Sequence, residues 1–338
     1  MQQVVIDTTN CLDLLRSINK ILKGNIINKY GEFILHFNNS VGNGTIRGLD
    51  LDWGISNLSY KLNLNQRILK SFKTTETNFT HFIFISEGNL NLHINNNESI
   101  KSLQRLQNII FTPNKNINTG IEFPENTVIE FNVIYINTDN FKNKKNNNLK
   151  YLNPKLFYYL NNNTPKPFIH LGNYSLKIAE LVNELTFNTY KTGIVRSLQT
   201  EGIITLILAQ QVLEFNNYEN HVYLPDSLTS GDIEIIYELT KYIHEHISDP
   251  ITIEILCRES GLHPKKLQAG FQLLFSKTVN EYTRDVKLKI ASDYLINTDY
   301  SISEIVYNIG LKSRSYFSKI FYEQYGLLPI EYRKNQKN

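Results

Sequence analysis

The chain has 338 residues, 41% hydrophobic and 20% charged, a globular balance too long for one ordinary core, so two or three compact units are expected. A formal charge of +3 excludes recognition of a nucleic-acid binder from bulk charge, and any electrostatic case has to be local. Two cysteines, Cys11 and Cys257, exclude a disulfide framework and a four-cysteine zinc site and fit a reducing cytoplasm.

Met1–Asp7 lacks the basic and apolar regions of a secretory signal. The aliphatic run around Ile203–Ala209 is far shorter than the roughly 20 residues of a membrane span. A cytoplasmic protein without membrane contact is expected. Asparagine runs such as Asn95–Asn97, Asn146–Asn148 and Asn161–Asn163 read as turn filler under a composition bias.

From about Phe33 to Ile136 the pattern has period two. Phe33, Leu35 and Phe37 alternate with polar or smaller neighbours. Phe82–Ile85, then Ser86-Glu87-Gly88-Asn89, then Leu90, Leu92 and Ile94 read as a hairpin closed by a Gly-containing turn. Further strands are predicted at Leu58–Leu64, Gln66–Phe72, Leu106–Thr112 and Val128–Ile136, and many short strands predict a small β-barrel or jelly roll. Trp53, His81, Phe84, His93 and Tyr135 are its candidate effector-binding side chains, with core packing as the competing reading. His36, His81, Glu87 and His93 lack a His-x-His spacing, so neither a metal nor another cofactor is expected.

After the polar stretch Lys142–Lys150, apolar residues fall at helical spacing over Tyr174–Tyr190 and Val195–Phe215. These helices would cover the barrel or pair with a second copy of themselves. A linker is predicted at 221–231, and from Asp232 onward the chain reads as helical throughout.

Asp232 is the expected cap of a helix carrying Ile233, Ile236, Leu239 and Ile243. Thr252 caps Ile253–Ser260, and Gly261 stops it in the left-handed conformation. Pro264 suits the first position of the next helix, whose Leu267, Phe271 and Leu274 form a buried stripe. A longer helix is predicted over Val279–Ile296. Ser301 and Glu304 then form a capping box, Gly310 ends that helix, and Ser313 caps another with Phe317 and Phe321 inward. Gly261 and Gly310 stand 49 residues apart, so a helix-turn-helix unit occurs twice. No acidic residue lies between Ser260 and Asn280 or between Ile305 and Tyr322, whereas Asp232–Glu259 holds seven acids and two bases. Clearing carboxylates from both second helices is what a phosphate backbone demands.

The run Ile305-Val306-Tyr307-Asn308-Ile309-Gly310, with Ser315-Tyr316-Phe317-Ser318-Lys319-Ile320-Phe321, Tyr325-Gly326-Leu327-Leu328-Pro329 and Tyr332-Arg333, resembles the AraC/XylS transcription activators over about Ile233–Lys334. The resemblance implies an α+β protein with four parts. These are a cupin-like effector-binding domain at 1–150, a helical dimerisation or barrel-covering segment at 151–220, the linker, and an all-α double helix-turn-helix domain at 232–338. It implies base contacts from Lys265, Gln268 and Ala269 in the first unit and from Arg314, Ser315, Ser318 and Lys319 in the second. Arg or Lys suits guanine and Gln suits adenine. Lys266, Lys312 and Ser313 would hold phosphates. Double-stranded promoter DNA, a small-molecule effector, RNA polymerase and a second copy of the chain are the implied partners. Pro264–Phe271 is similar to regulators of siderophore uptake, which would make the effector an iron chelate, with sugars and other metabolites equally open.

The sequence departs from the family at His263, where a capping serine is usual, at a cost of about 1 kcal/mol. Ala269-Gly270 would loosen the first recognition helix. Leu311 and Leu328 stand for the usual phenylalanine and serine. The competing reading is a barrel enzyme or carbohydrate-binding protein with a helical contact tail. No Gly-x-Ser-x-Gly, P-loop or dinucleotide fingerprint occurs to support an enzyme.

Overall fold

The computed structural model describes residues 2–6, 10–72, 79–94, 99–113, 118–143, 154–161, 168–186, 193–219, 228–275 and 277–337. The chain forms two compact units, Met1–Tyr223 and Leu224–Asn338. Most of the linker expected at 221–231 and of the polar stretch at 142–150 lies outside the described residues.

The first unit runs β1 (Gln2–Ile6), α1 (Cys11–Leu22), β2 (Asn25–Lys29), β3 (Glu32–Asn39), β4 (Gly42–Leu51), β5 (Ile55–Leu64), β6 (Ile68–Phe72), β7 (Phe79–Glu87), β8 (Leu90–Ile94), β9 (Ser99–Leu103), β10 (Gln107–Thr112), β11 (Thr119–Phe123), β12 (Val128–Asn137), α2 (Thr138–Asn143), α3 (Pro154–Asn161), β13 (Phe168–Tyr174), α4 (Leu176–Thr186) and α5 (Gly193–Glu219). The described strands form two open sheets rather than a closed barrel. One has the order β1-β6-β11-β8-β9, the other β13-β10-β7-β12-β5-β4-β3-β2. Each sheet keeps two edges, so of the expected barrel or jelly roll the closed barrel is corrected, and the described strands form a two-sheet sandwich.

The expected hairpin at Ser86–Asn89 is also corrected. β7 pairs with β10 and β12, whereas β8 pairs with β11 and β9. The turn carries the chain from one sheet to the other, and a local pattern cannot distinguish this from a hairpin. Between the sheets lies the core of Leu58, Ile83, Ile85, Leu92, Ile109, Ile121, Phe131 and Val133. Phe79–Ile85 is buried without interruption. Its odd residues face the other sheet, and its even ones face the helical side, where Gln211 of α5 donates to the Ile83 carbonyl at 3.4 Å. α1 has no counterpart among the sequence expectations, although its signals are plain. Asn10 accepts the Asp13 amide at 3.2 Å, and Cys11, Leu14, Leu15, Ile18 and Leu22 are buried along one face.

α5 is apolar on two sides. Ile203, Ile204, Ile207, Leu208 and Phe215 are buried, while Val195, Leu198, Leu206 and Leu213 are exposed.

The second unit comprises α6 (Ser230–Glu245), α7 (Ile253–Ser260), α8 (Pro264–Phe275), α9 (Val279–Asn297), α10 (Ile302–Asn308), α11 (Arg314–Tyr325) and α12 (Pro329–Lys337). Its start differs from expectation. Thr229 is the cap of α6, and Asp232 is the third helical residue, its carboxylate accepting the Thr229 amide at 2.7 Å. The glycine in α8 is not a loose point either. Gly270 is buried, and a Cβ there would lie 2.0 Å from Ile236 Cδ1, so its missing side chain lets α8 close on α6.

The duplication is realised. α7–α8 and α10–α11 each bury two residues four apart, Leu267 with Phe271 and Phe317 with Phe321, all 0% exposed. Thr252 and the Ser301–Glu304 box cap the first helix of each unit. The two turns are not equivalent. Gly261 has φ +71° and open space around it, whereas Gly310 at φ +64° would place a Cβ 2.5 Å from the Ser248 carbonyl oxygen. Beside this contact, buried Lys287 of α9 donates to the carbonyls of Ile247 at 3.1 Å, Ile309 at 2.6 Å and Gly310 at 3.2 Å. One ammonium therefore ties the end of α6 to the turn of the second helix-turn-helix.

Candidate functional site

α8 and α11 hold the residues expected at DNA, and their surroundings differ. His263 stands just ahead of Pro264, and its carbonyl accepts the first helical amide, from Leu267, at 3.0 Å. Its Nδ1 also accepts the Lys265 amide at 3.4 Å, so the ring supplies part of the missing serine cap. Lys265 is exposed, while Lys266, Gln268 and Ala269 are half-buried. Lys266 Nζ lies 2.7 Å from Asp232 Oδ2. Burial opposes ionisation of that carboxyl, but the Lys266 ammonium and Thr229 hold it down to about 2. Gln268 Oε1 accepts the Val279 amide at 3.3 Å, fastening α8 to the start of α9.

α11 presents its side chains more openly. Lys312, Ser313, Arg314, Ser315 and Tyr316 are exposed in succession, Lys319 is exposed one turn later, and Ser318 is half-buried. Ser313 Oγ caps the helix by accepting the Tyr316 amide at 3.2 Å. Arg314 donates from Nη1 to Ser303 Oγ at 3.2 Å, which aims the guanidinium without neutralising it. Tyr316, which was not among the expected contacts, is exposed between Ser315 and the inward Phe317. The first turns of both helices carry amide donors and no carboxylate.

A model of the helix-turn-helix domain matches residues 256–335, which spans both units except the start of α7. The regulatory protein SoxS of Escherichia coli is 32% identical over 100 residues, covering 30% of this chain and 94% of SoxS. The chain belongs to the AraC/XylS family. It is a DNA-binding transcription regulator of that family. The transcriptional activator RhaR of Mannheimia succiniciproducens is 24% identical over 176 residues, 52% of this AraC/XylS chain and 61% of its own length. Among solved structures, an AraC-type regulator from Chromobacterium violaceum is 20% identical with a TM-score of 0.30, covering 32% of this chain and 96% of its own.

In the other unit of this AraC/XylS protein, the five expected effector residues do not converge. His81 and Tyr135 stand directly opposite each other on β7 and β12 and face the space between the sheets, their rings 4.8 Å apart. Phe84 is fully buried on the reverse face of β7. His93 is on the outer face of the smaller sheet, with Nε2 2.9 Å from Glu122 Oε2. Trp53 lies in the β4–β5 turn, its ring 5.7 Å from Phe141 and its Nε1 donating to Glu201 at 3.4 Å. His36, the remaining histidine considered for a metal, is exposed and 3.0 Å from Thr45 Oγ1.

What the sequence reading missed is the partner of Tyr60 and Tyr135. Lys70 of β6 is 2% exposed, and its Nζ donates to the hydroxyls of Tyr60 at 2.9 Å and Tyr135 at 2.8 Å. Its signal was period: Ile68, Lys70 and Phe72 share one face of a strand whose apolar members point inward. Burial pulls Lys70 down to about 7, and burial with the nearby Lys70 charge pulls His81 down to about 3.

Proposed function

We propose that this regulator reads two successive major-groove segments, α8 entering one and α11 the next, and that its occupancy of a promoter responds to a small molecule held in the first unit. The observation that carries the DNA side is the exposed, carboxylate-free series Lys312–Tyr316 at the start of α11, repeated in weaker form at Lys265 on α8. Arg314, Ser315, Ser318 and Lys319 are the base-reading side chains of the second unit, and Lys312 and Ser313 hold phosphates. In the first unit Lys265 and Ala269 face the bases. Gln268 already has its carbonyl oxygen on Val279, so it offers DNA its amide donors. Lys266 would exchange Asp232 for a phosphate. RNA polymerase is the further partner implied for an activator.

Fluorescence anisotropy on duplexes selected by the full chain tests this reading. Arg314→Ala is expected to cost about 1–3 kcal/mol on the selected sequence and to relax preference at one or two base pairs. Lys312→Ala should weaken all sequences alike and reduce the salt slope by about 1. Equal, sequence-independent losses from both variants would remove Arg314 as a base reader.

A second copy completes the assembly through α5. Val195, Leu198, Leu206 and Leu213, with exposed Gly202 and Ala209 between them, follow one another at steps of three or four and draw one line over Val195–Leu213 of α5. A helix apolar on both sides has to bury both. Leu206→Glu is expected to raise the dimer dissociation constant more than tenfold in sedimentation, since each buried leucine contributes about 1.5–3 kcal/mol. An unchanged dimer, or a monomeric parent, would reject this seam.

A further inference from the structure

The smaller sheet contributes to the sandwich interior a group that an apolar core does not need, and its neighbours carry matching loose ends. Among the described residues Lys70 has two hydrogen-bond acceptors, both neutral phenol oxygens, and beyond them only the ring faces of Tyr60, Phe72 and Tyr135 at 5.3–5.5 Å, so one ammonium proton and a full countercharge are unprovided there. His81 Nδ1 and Thr119 Oγ1 are buried and have no hydrogen-bond partner among the described residues. All three stand on the inward faces of their strands. Lys70 and Phe72 face inward on β6, and Thr119 stands directly opposite Phe72 on the neighbouring β11. The His81 ring lies 4.8 Å from those of both Phe72 and Tyr135, which brings the facing sheet to the same spot.

We propose that the inter-sheet space bounded by Tyr60, Lys70, Phe72, His81, Thr119 and Tyr135 binds a small monocarboxylate with an apolar body, its carboxylate seated on the Lys70 ammonium. This rests on the reading of the protein as an effector-responsive regulator and gives that effector a chemical class. The donor set is the reason. The spare Lys70 proton, the Thr119 hydroxyl and the Nδ1–H tautomer of His81 make three donors, enough for the oxygens of one carboxylate and too few for a phosphate dianion. A sugar needs acceptors for its hydroxyls, and the one buried carboxylate among the described strand residues is Glu122. Glu122 is on the outer face of the smaller sheet with His93. The rings of Phe72, Phe111, Tyr60 and Tyr135 supply the apolar wall.

Binding should also move a proton. The ionisable groups facing Lys70 are Tyr60 on β5, Tyr135 on β12, His81 on β7 and Cys11 on α1. Burial holds the two phenols and the thiol up, so they stay protonated at neutral pH, and His81 stays neutral. Lys70 alone titrates near pH 7, and a bound anion completes its protonation.

Isothermal calorimetry on the full chain at pH 7.5, in two buffers of different ionisation enthalpy, tests this with benzoate and hexanoate against benzamide and hexanamide. The acids are expected to bind at least tenfold more tightly than the amides and with proton uptake. Lys70→Met should weaken the acids at least tenfold and abolish the uptake. Should Lys70→Met fail to fold, Tyr135→Phe, which removes one hydroxyl from the ammonium and keeps the ring, should change acid affinity at least threefold and leave amide affinity alone. Amides binding as well as acids, no binding by any of the four, or acid affinity indifferent to the variants overturns the proposal. Duplex binding is measured on the same preparation. Intact duplex recognition without carboxylate binding removes this inference alone, whereas loss of duplex recognition removes the regulator reading.

Discussion

Gly310→Ala is expected to destabilise the DNA-binding unit by roughly 2–5 kcal/mol, while Gly261→Ala, at the matching turn, costs about 1–2 kcal/mol. Both residues occupy the left-handed region, so both substitutions incur that conformational cost. Only at Gly310 does the new methyl meet backbone, 2.5 Å from the Ser248 oxygen and 2.9 Å from that of Ile247. Backbone cannot rotate aside as a side chain can, so the turn has to open. Native-state amide exchange over α9–α11 is the suitable measurement, because the one tryptophan, Trp53, reports on the other unit. Protection should fall about 30-fold or more in Gly310→Ala and about tenfold in Gly261→Ala, given a factor of ten per roughly 1.4 kcal/mol. Equal effects at the two sites would mean that the contact with Ser248 is not part of the native packing.

Lys287→Met is expected to cost about 3–5 kcal/mol, as removal of one side of a buried charged network does. Methionine matches the length of the chain and leaves three carbonyls without their donor. Because Gly310 contributes one of those carbonyls, the Gly310→Ala/Lys287→Met double variant should lose less than the sum of the singles. Amide exchange at Ser248 and at Gly310 reads the result. Additive losses would show that the two residues act on separate parts of the unit.

The second unit was largely legible because its signals are local. Pro264 at a helix start, Ser301 three residues before Glu304, and the left-handed Gly261 each act within one turn of chain. Thr229 was passed over for Asp232 because both are capping types, and only the true start of α6 decides between them. For the candidate interface the sequence indicated exposure on α11 but not the engaged side chains on α8. Arg314 and Lys319 are exposed as expected, whereas Gln268 and Lys266 are engaged by Val279 and Asp232, pairings with partners 11 and 34 positions away in the chain. The first unit was less legible. Strands β1, β2, β4, β9, β11 and β13 went unrecognised, and β7 and β8 entered different sheets through a turn that looks like a hairpin's. Lys70 illustrates the limit: an isolated lysine reads as solvated until β5 and β12 bring two phenols over it.

The Lys287 brace has a consequence for the spacing of the DNA target. Its grip is on main-chain oxygens from the end of α6 and from the second turn, while Gly270 lets α8 close on the same α6, so under the proposed function both reading helices are tied to one element before any duplex arrives. Ordering entropy is then spent at folding instead of at association, which favours residence on a correctly phased promoter. If α8 and α11 read successive groove segments as proposed, the same rigidity leaves little room for slack: one extra base pair between those segments would rotate the second by about a tenth of a turn and take α11 out of register.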